Sequence, residues 1–297
     1  VRDKVRDGSA ASLKAAHEVL KADYARGDAA GALAWHASLP KAAQSALDKD
    51  PRAHTWLARL QLMRAAQDKD APRCEALAPP VLAAELGCDR AYEVDRVLDC
   101  TAGLPAATRS RLLAAQKPVM THQLYAQVFV SHPSCADARS AVLTTADLDQ
   151  ALGYPQAEAD VLERAIADVR QRLGGNLRKD RNLADNLRVY LDRAGKVDEL
   201  ELLYPKLIAA WPDDYVYYYR FGKSLAARGQ YQQALIYLQQ AAPRAYGINR
   251  LDVAELQAQA LLKLNRGDEA RQVVADALKA NGPWFPDQAA KLKALVN

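Results

Sequence analysis

The chain has 297 residues, of which half are hydrophobic and 26% are charged, and its net charge at pH 7 is +4. This composition predicts a folded core rather than a disordered chain, and the length suits two ordinary domains or one elongated repeat array. The positive charge forms no Lys/Arg stripe with interleaved aromatic residues, and no run of 18 apolar residues occurs. We therefore expect neither a nucleic-acid partner nor a membrane span.

The chain opens with a predicted helix. Residues 1–20, VRDKVRDGSAASLKAAHEVL, have a helical pattern from the first residues onward. They contain no initiator methionine, apolar signal core or cleavage site. This start indicates a processed chain or a piece of a longer one. Residues 21–39 and 150–169 each place a glycine between two apolar helical segments, which predicts a helix, a turn and a second helix.

The cysteines bear on the cellular compartment of the protein. All four lie in the first half and none belongs to a CxxC pair, so we expect neither a zinc ribbon nor a thioredoxin-type redox site. The set is Cys74, Cys88, Cys100 and Cys135. An even number suits two disulfides in an oxidising compartment, but small buried thiols fit as well, and three pairings stay open. Disulfides would favour a periplasmic or otherwise extracytoplasmic protein, with the cytoplasm as the alternative.

The first half lacks a regular repeat in the region that holds the cysteines. Residues 70–140 are interpreted as irregular helical hairpins, and the paired glycines beside like charges in 172–182 predict a joint. We therefore predict two regions: residues 1–174, irregular hairpins with four cysteines, and residues 175–297, a repeat region that ends in a capping helix.

The second half shows helical periodicity. Residues 197–211, VDELELLYPKLIAAW, place their apolar residues on one stripe at helical spacing, although Pro205 is expected to kink the helix. The adjacent acidic pair, Asp213 and Asp214, predicts the start of the next helix, because negative charge suits a helix N-terminus. Alternating β-branched runs are missing from the chain. The fold class that follows is all-α.

A glycine separates two helices in three stretches of this half. The stretches are RAGKVDELELLY, ARGQYQQALIYL and NRGDEARQVVAD, and their glycines are Gly195, Gly229 and Gly267. Each glycine can supply the left-handed residue that ends the first helix. The interval from Leu191 to Leu225 indicates a period of about 34 residues, which is typical of one kind of helical repeat.

When Tyr215 is taken as the first position of a repeat, large and small residues fall at the positions where a known family has residues of those sizes. The positions are Tyr218, Phe221, Gly222, Leu225, Tyr231, Ala234, Leu238 and Ala241. This unit resembles a tetratricopeptide repeat, and the resemblance extends over about residues 181–282. The preceding unit departs from the family pattern at Arg188 and Leu200, where small residues are usual. The resemblance implies a solenoid of antiparallel helix pairs in which Tyr218 and Phe221 are buried, with Tyr231 and Tyr237 nearby.

The resemblance also implies a binding groove. In the family, the first helices of successive repeats line a concave surface, which here places a mixed set of polar residues on it. They are Asn182, Asp185, Asn186, Tyr219, Lys223, Glu255 and Gln259. The acidic members argue against a clamp for a peptide carboxylate, so an extended peptide or partner protein is the expected occupant.

No motif of a catalytic or cofactor site accompanies these features. The GKS at 222–224 lacks the upstream glycine of a phosphate-binding loop and lies in a predicted helix, and HPSC lacks zinc-ligand spacing. We therefore expect no enzyme, no cofactor and no metal.

The sequence predicts a protein–protein interaction scaffold in the bacterial cell envelope. The alternatives are the accessory C-terminal region of an envelope thiol-disulfide oxidoreductase and a polysaccharide-export scaffold, which would need exposed aromatic platforms.

Overall fold

A computed structural model describes residues 1–84, 89–131 and 138–296, and these residues form helices and turns without any strand. The chain divides into two compact units, Val1–Asp168 and Val169–Asn297. The predicted all-α class is confirmed for the described residues.

Unit 1 contains helices of varied length that are joined by turns and shorter segments. They are α1 (Ala10–Arg26), α2 (Ala29–Ser38), α3 (Lys41–Lys49), α4 (Pro51–Gln67), α5 (Ala71–Ala83), α6 (Arg90–Cys100), α7 (Ala106–Leu113), α8 (Gln116–His122), α9 (Phe129–Ser131), α10 (Ala138–Ala151) and α11 (Pro155–Leu173). A 3-10 turn, Arg2–Lys4, precedes α1, and a π-helix, Gln123–Val128, joins α8 to α9. The boundary between the units lies within α11.

Unit 2 continues with seven helices in its described residues. They are α12 (Arg181–Arg193), α13 (Val197–Ala210), α14 (Tyr215–Ala227), α15 (Tyr231–Ala241), α16 (Asn249–Lys263), α17 (Gly267–Asn281) and α18 (Pro286–Ala294), with 3-10 turns at Leu177–Lys179 and Gly282–Trp284. From α12 to α17 each helix packs against the next one in the chain, and α18 packs against α16 and α17. The helix α13 is continuous through Pro205.

One type of turn ends six of these helices. A left-handed residue donates its N–H to the carbonyl three residues before it, and the following residue donates to the carbonyl five residues before itself, which is the Schellman pattern. The left-handed residues are Gly27, Lys69, Gly153, Gly195, Gly229 and Asn265. The pattern closes the hairpin turns α1–α2, α4–α5, α10–α11, α12–α13, α14–α15 and α16–α17.

Gly267 is not the turn residue that its position suggested. It is the first residue of α17, and the left-handed conformation falls on Asn265, with φ of 59°. Asparagine tolerates this conformation because its short polar side chain costs less there than a branched or bulky one. The prediction for Gly195 and Gly229 is confirmed, with φ of 65° and 78°.

Side-chain caps fix the beginnings of several helices. Asp214 accepts a hydrogen bond from the backbone N–H of Val216 at the start of α14, which confirms the helix start predicted there. Asp180 caps α12 by accepting from Asn182 and Leu183. Each cap of this kind stabilises a helix by roughly 1 kcal/mol.

The helices α14 and α15 approach each other closely at Gly222. A Cβ atom added at Gly222 would lie 2.7 Å from Cγ of Leu238 and 3.2 Å from the carbonyl oxygen of Ala234. Ala234 is fully buried at the same contact. Small residues at both positions are therefore needed for this packing.

Most of the tyrosine cluster of α14 belongs to the core. Tyr218 and Phe221 are buried as predicted, and Phe221 lies between the rings of Tyr204 and Tyr237, with centroid distances of 4.8 and 4.4 Å. Tyr217, which the sequence did not single out, is also buried. Ring pairs at these distances contribute about 0.5–1.5 kcal/mol beyond their buried area.

Ala234→Leu should overpack the α14–α15 contact and lower the free energy of unfolding by about 1–3 kcal/mol. Urea denaturation followed by circular dichroism measures this change. The control is Ala275→Leu, the same substitution at an exposed position of α17. Equal stability of the two variants would contradict this account of the contact.

Lys69→Gly should raise the free energy of unfolding by about 0.5–1 kcal/mol, because a lysine at φ of 56° is strained and a glycine there is not. Asp68→Gly is the control: Asp68 has a φ of −80°, so glycine relieves no strain there and should destabilise unit 1. Thermal melting that shows a loss for both variants would rule out strain at Lys69.

Candidate functional site

The predicted groove residues lie on α12, α14 and α16 of unit 2. Tyr219 and Lys223, one helical turn apart on α14, line the same opening of about 230 Å³ together with Asn249 and Asp252 of α16. Lys223 also lines a second opening of about 300 Å³ with Tyr204 of α13. The exposed face of α14 therefore lies between two hollows that share Lys223.

Arg220 is a residue of this face that sequence reasoning missed. It lines both openings with Lys223 and is exposed. The resemblance implied Tyr219 and Lys223 as groove residues but not Arg220, which lies between them in the sequence and lines the same openings. Two cations, one helical turn apart, thus mark the centre of the face.

Tyr219 is half-buried at the edge of the first opening. Burial raises the pKa of its phenol, and the negative charge of Asp252 adds to the effect. The hydroxyl group is therefore neutral at physiological pH and able to donate a hydrogen bond. The side chain packs partly against a core cluster and partly lines the opening.

The acidic and amide residues of α16 are already hydrogen-bonded. Gln259 donates to Oε1 of Glu255 at 3.2 Å, and Gln288 of α18 donates to Oε2 of Glu255 at 3.0 Å. Gln288 also donates to Asp252 at 2.9 Å. A ligand that reached Glu255 would have to replace contacts that α18 supplies.

The α12 residues are placed differently from one another. Asn182 is exposed, whereas Asp185 accepts a hydrogen bond from Nε of the buried Arg188 at 2.8 Å. Asn186 is only 8% exposed. It lies on the side of α12 that also carries the buried Leu183 and Leu187, so little of its side chain is accessible to a ligand.

A larger cleft lies in unit 1, where the sequence predicted none. It has a volume of about 920 Å³ and lies mainly between α1 and α4. Its walls include Leu13, Pro51 and Trp56, and its rim carries charged residues of both signs. This volume is near the upper end of the range typical of small-molecule sites.

One wall of the cleft contains an ordered acidic group. Asp50 accepts a hydrogen bond from the backbone N–H of Ala53 and thereby caps α4, and His17 of α1 lies 2.7 Å from it. The Ala53 hydrogen bond and the nearby His17 ring keep the pKa of Asp50 below its ordinary value. This carboxylate is therefore already engaged within the protein.

The floor of the cleft is a buried cation. Arg59 is 4% exposed, and its guanidinium lies over the ring of Trp56 at 4.6 Å. Its Nη1 donates to Asp89 at 3.2 Å, and its Nε lies 3.5 Å from Glu93 but makes no hydrogen bond. The guanidinium is thus held in place with part of its donor capacity unused.

Glu93 lies below Arg59 and connects three helices, α1, α4 and α6. It is fully buried on α6, accepts a hydrogen bond from the hydroxyl of Tyr24 on α1, and leaves Oε2 without a hydrogen-bond partner. Burial raises the pKa of Glu93, and burial likewise raises the pKa of Tyr24. Sequence reasoning had no means of finding this cluster, because Tyr24, Arg59 and Glu93 lie on three helices that are far apart in the chain.

Two of the four cysteines form a disulfide in unit 1. Cys74 of α5 and Cys100 of α6 are bonded, with their Cα atoms 5.5 Å apart, and both are buried. They lie in the core cluster that also contains Leu62, Val94 and Met120. Cys88 and Cys135 lie outside the described residues. A buried pair of this kind serves as a structural cross-link, because an attacking thiolate cannot reach it.

Reduction of this disulfide should lower the free energy of unfolding of unit 1 by about 3 kcal/mol, since the bond closes a loop of 26 residues in the unfolded chain. Urea denaturation with and without reductant measures the difference. Intact mass after alkylation in denaturant without reductant is the check on the bond itself. Four freely alkylated thiols would contradict the cross-link and remove the argument for an oxidising compartment.

The described residues place limits on other kinds of site. Within residues 1–84, 89–131 and 138–296, no three His, Cys, Asp or Glu side chains converge as metal ligands would. None of the helices in this part of the chain combines the length and apolar character needed to cross a bilayer.

No protein-family model matches the chain, and no curated protein does either. The chain is thus an all-helical protein in its described part, with a polar face in unit 2 and a charged cleft in unit 1.

Proposed function

We propose that the chain is a non-catalytic binding protein and that unit 2 is a tetratricopeptide-like repeat array that holds a partner protein or extended peptide. The pairs α12–α13, α14–α15 and α16–α17 support the array, since each consists of two helices joined by the same tight turn. The left-handed residues of these turns, Gly195, Gly229 and Asn265, recur at intervals close to the family period.

The observation that carries the proposal is the face of α14. Tyr219, Arg220 and Lys223 lie between two hollows, so a peptide laid across the helix would meet a phenol, a guanidinium and an ammonium group. Side pockets on either side of a polar ridge suit the alternating side chains of an extended peptide.

The charge of the surroundings favours a mixed peptide sequence. Arg220 and Lys223 attract acidic side chains, whereas Asp252 and Glu255 on the neighbouring helix attract basic ones. A clamp for a terminal carboxylate needs cations and amides alone, so the acidic pair argues against it. We infer that the partner presents both charge signs within a short segment.

The disulfide supports an extracytoplasmic location, such as the periplasm of a bacterium. Disulfides persist in oxidising compartments, and the Cys74–Cys100 bond lies in the core of unit 1. A role for these two cysteines in thiol-disulfide exchange is disfavoured by their burial. The cytoplasmic alternative predicts reduced thiols in protein taken directly from cells.

Photo-cross-linking in living cells tests the proposal. A benzophenone amino acid at the exposed position of Lys223 should yield an adduct with one defined partner, identified by mass spectrometry. The matched control carries the same group at Gln233, which is exposed on α15. The same adduct from both positions would show that the α14 face has no special role.

The double substitution Tyr219→Ala and Arg220→Ala, in the chain labelled at 223, should reduce the adduct at least about tenfold, because two side chains that contact the peptide are lost. Circular dichroism and the melting temperature must match those of the parent, since Tyr219 also packs against the core. An undiminished adduct in a folded variant would place the partner elsewhere.

A further inference from the structure

The cleft of unit 1 has an excess of unpaired cations. Four cations line it, namely Lys14, Lys21, Arg52 and Arg59, against the carboxylates Glu18, Asp50 and Asp89. Asp50 is engaged by the α4 backbone and His17, and Asp89 by Arg59. Among the described residues no carboxylate forms an ion pair with Lys14, Lys21 or Arg52. The charged groups left over are these three cations and the carboxylate of Glu18, so their net positive charge attracts an anion.

Arg59 differs from the rim lysines because it is buried. A buried guanidinium costs free energy unless its donors are satisfied, yet its Nε has no acceptor within hydrogen-bonding geometry. Trp56 supports one face of the guanidinium, which fixes its plane. The Nε faces the buried Glu93 at 3.5 Å, so the donor that a planar acid group would reach is Nη1, which bonds the exposed Asp89.

Asp89 has the geometry of a replaceable counter-ion. It stands at the N-cap position of α6, but its side chain makes no capping hydrogen bond there and reaches Arg59 instead. The Asp89 side chain is 54% exposed, whereas Glu93, the other carboxylate beside Arg59, is fully buried. An incoming carboxylate could therefore displace Asp89 while Glu93 stays in place.

We propose that the cleft between α1 and α4 is a second binding site, which takes a carboxylate with an apolar body. The carboxylate replaces Asp89 at Arg59, and the apolar body lies along Leu13, Pro51 and Trp56. Lys14, Lys21 and Arg52 attract the ligand from solution. The carboxylate belongs either to a small organic acid or to the C-terminus of a peptide.

A single negative charge suits this site better than two. Glu18, Asp50 and Asp89 line the cleft, and Glu93 lies below it, so a doubly charged phosphate would meet repulsion from several directions. The carboxylate class follows from this balance and from the planar shape of the guanidinium. This site is separate from the α14 face and does not depend on the function proposed for it.

Isothermal titration calorimetry of the full chain with two pairs of probes tests the proposal. One pair is 4-phenylbutyrate and its neutral amide; the other is N-acetyl-alanyl-alanyl-phenylalanine with a free or an amidated C-terminus. We expect at least one acid to bind at least about tenfold more tightly than its amide, because one charge-assisted contact is lost. The pair that responds identifies the source of the carboxylate. Absence of binding by both acids, or equal binding of acid and amide, would overturn the proposal.

Two substitutions locate the binding. Arg59→Met should weaken binding of the acid at least about tenfold, whereas Arg64→Met, the same change on α4 outside the cleft, should not alter it. Unchanged binding by a folded Arg59→Met variant would refute the assignment.

If Arg59→Met does not fold, Asp89→Asn tests whether the acid binds at Arg59. It removes a competing charge from an exposed side chain, so the acid should bind about tenfold more tightly. If Arg59 served structure alone, the substitution would not strengthen binding. Unchanged or weaker binding of the acid by this variant therefore contradicts the proposal.

Discussion

The constraint on which much of the described structure depends is the tight turn that follows six of its helices. In each turn a left-handed residue lets two backbone N–H groups reach back to carbonyls of the last helical turn. The chain reverses within a few residues, and at five of the six turns the second helix packs against the first. The turns recur in both units, and those of unit 2, at Gly195, Gly229 and Asn265, follow one another at intervals close to the period of one kind of helical repeat.

Small residues allow helices that are joined by such a turn to pack closely. At the α14–α15 contact the backbone of α14 comes so near to Leu238 that Gly222 has no space for a Cβ atom. The aromatic rings of Tyr204, Phe221 and Tyr237 fill the space beside it. This packing leaves Arg220 and Lys223 on the exposed side of α14, where they belong to the polar face.

Unit 1 is held by a different combination of forces. A disulfide joins α5 to α6, while a buried cluster of Tyr24, Arg59 and Glu93 connects α1, α4 and α6. Buried charges of this kind stabilise a fold less than apolar packing of equal volume would. Arg59 lines a cleft and bonds the exposed Asp89 there, which is the reason to assign the cluster a role in binding.

Local residue patterns were enough to predict the helical class, the start of α14 at Asp214, the turns at Gly195 and Gly229, and the burial of Tyr218 and Phe221. These features depend on residues close together in the chain, through helical period, capping and the conformational freedom of glycine. Only the tertiary structure decided that Asn265 rather than Gly267 takes the left-handed turn, that Asn186 is buried, and that Arg59 meets Glu93 and Asp89. Such placements depend on packing between distant segments, which local residue patterns do not encode.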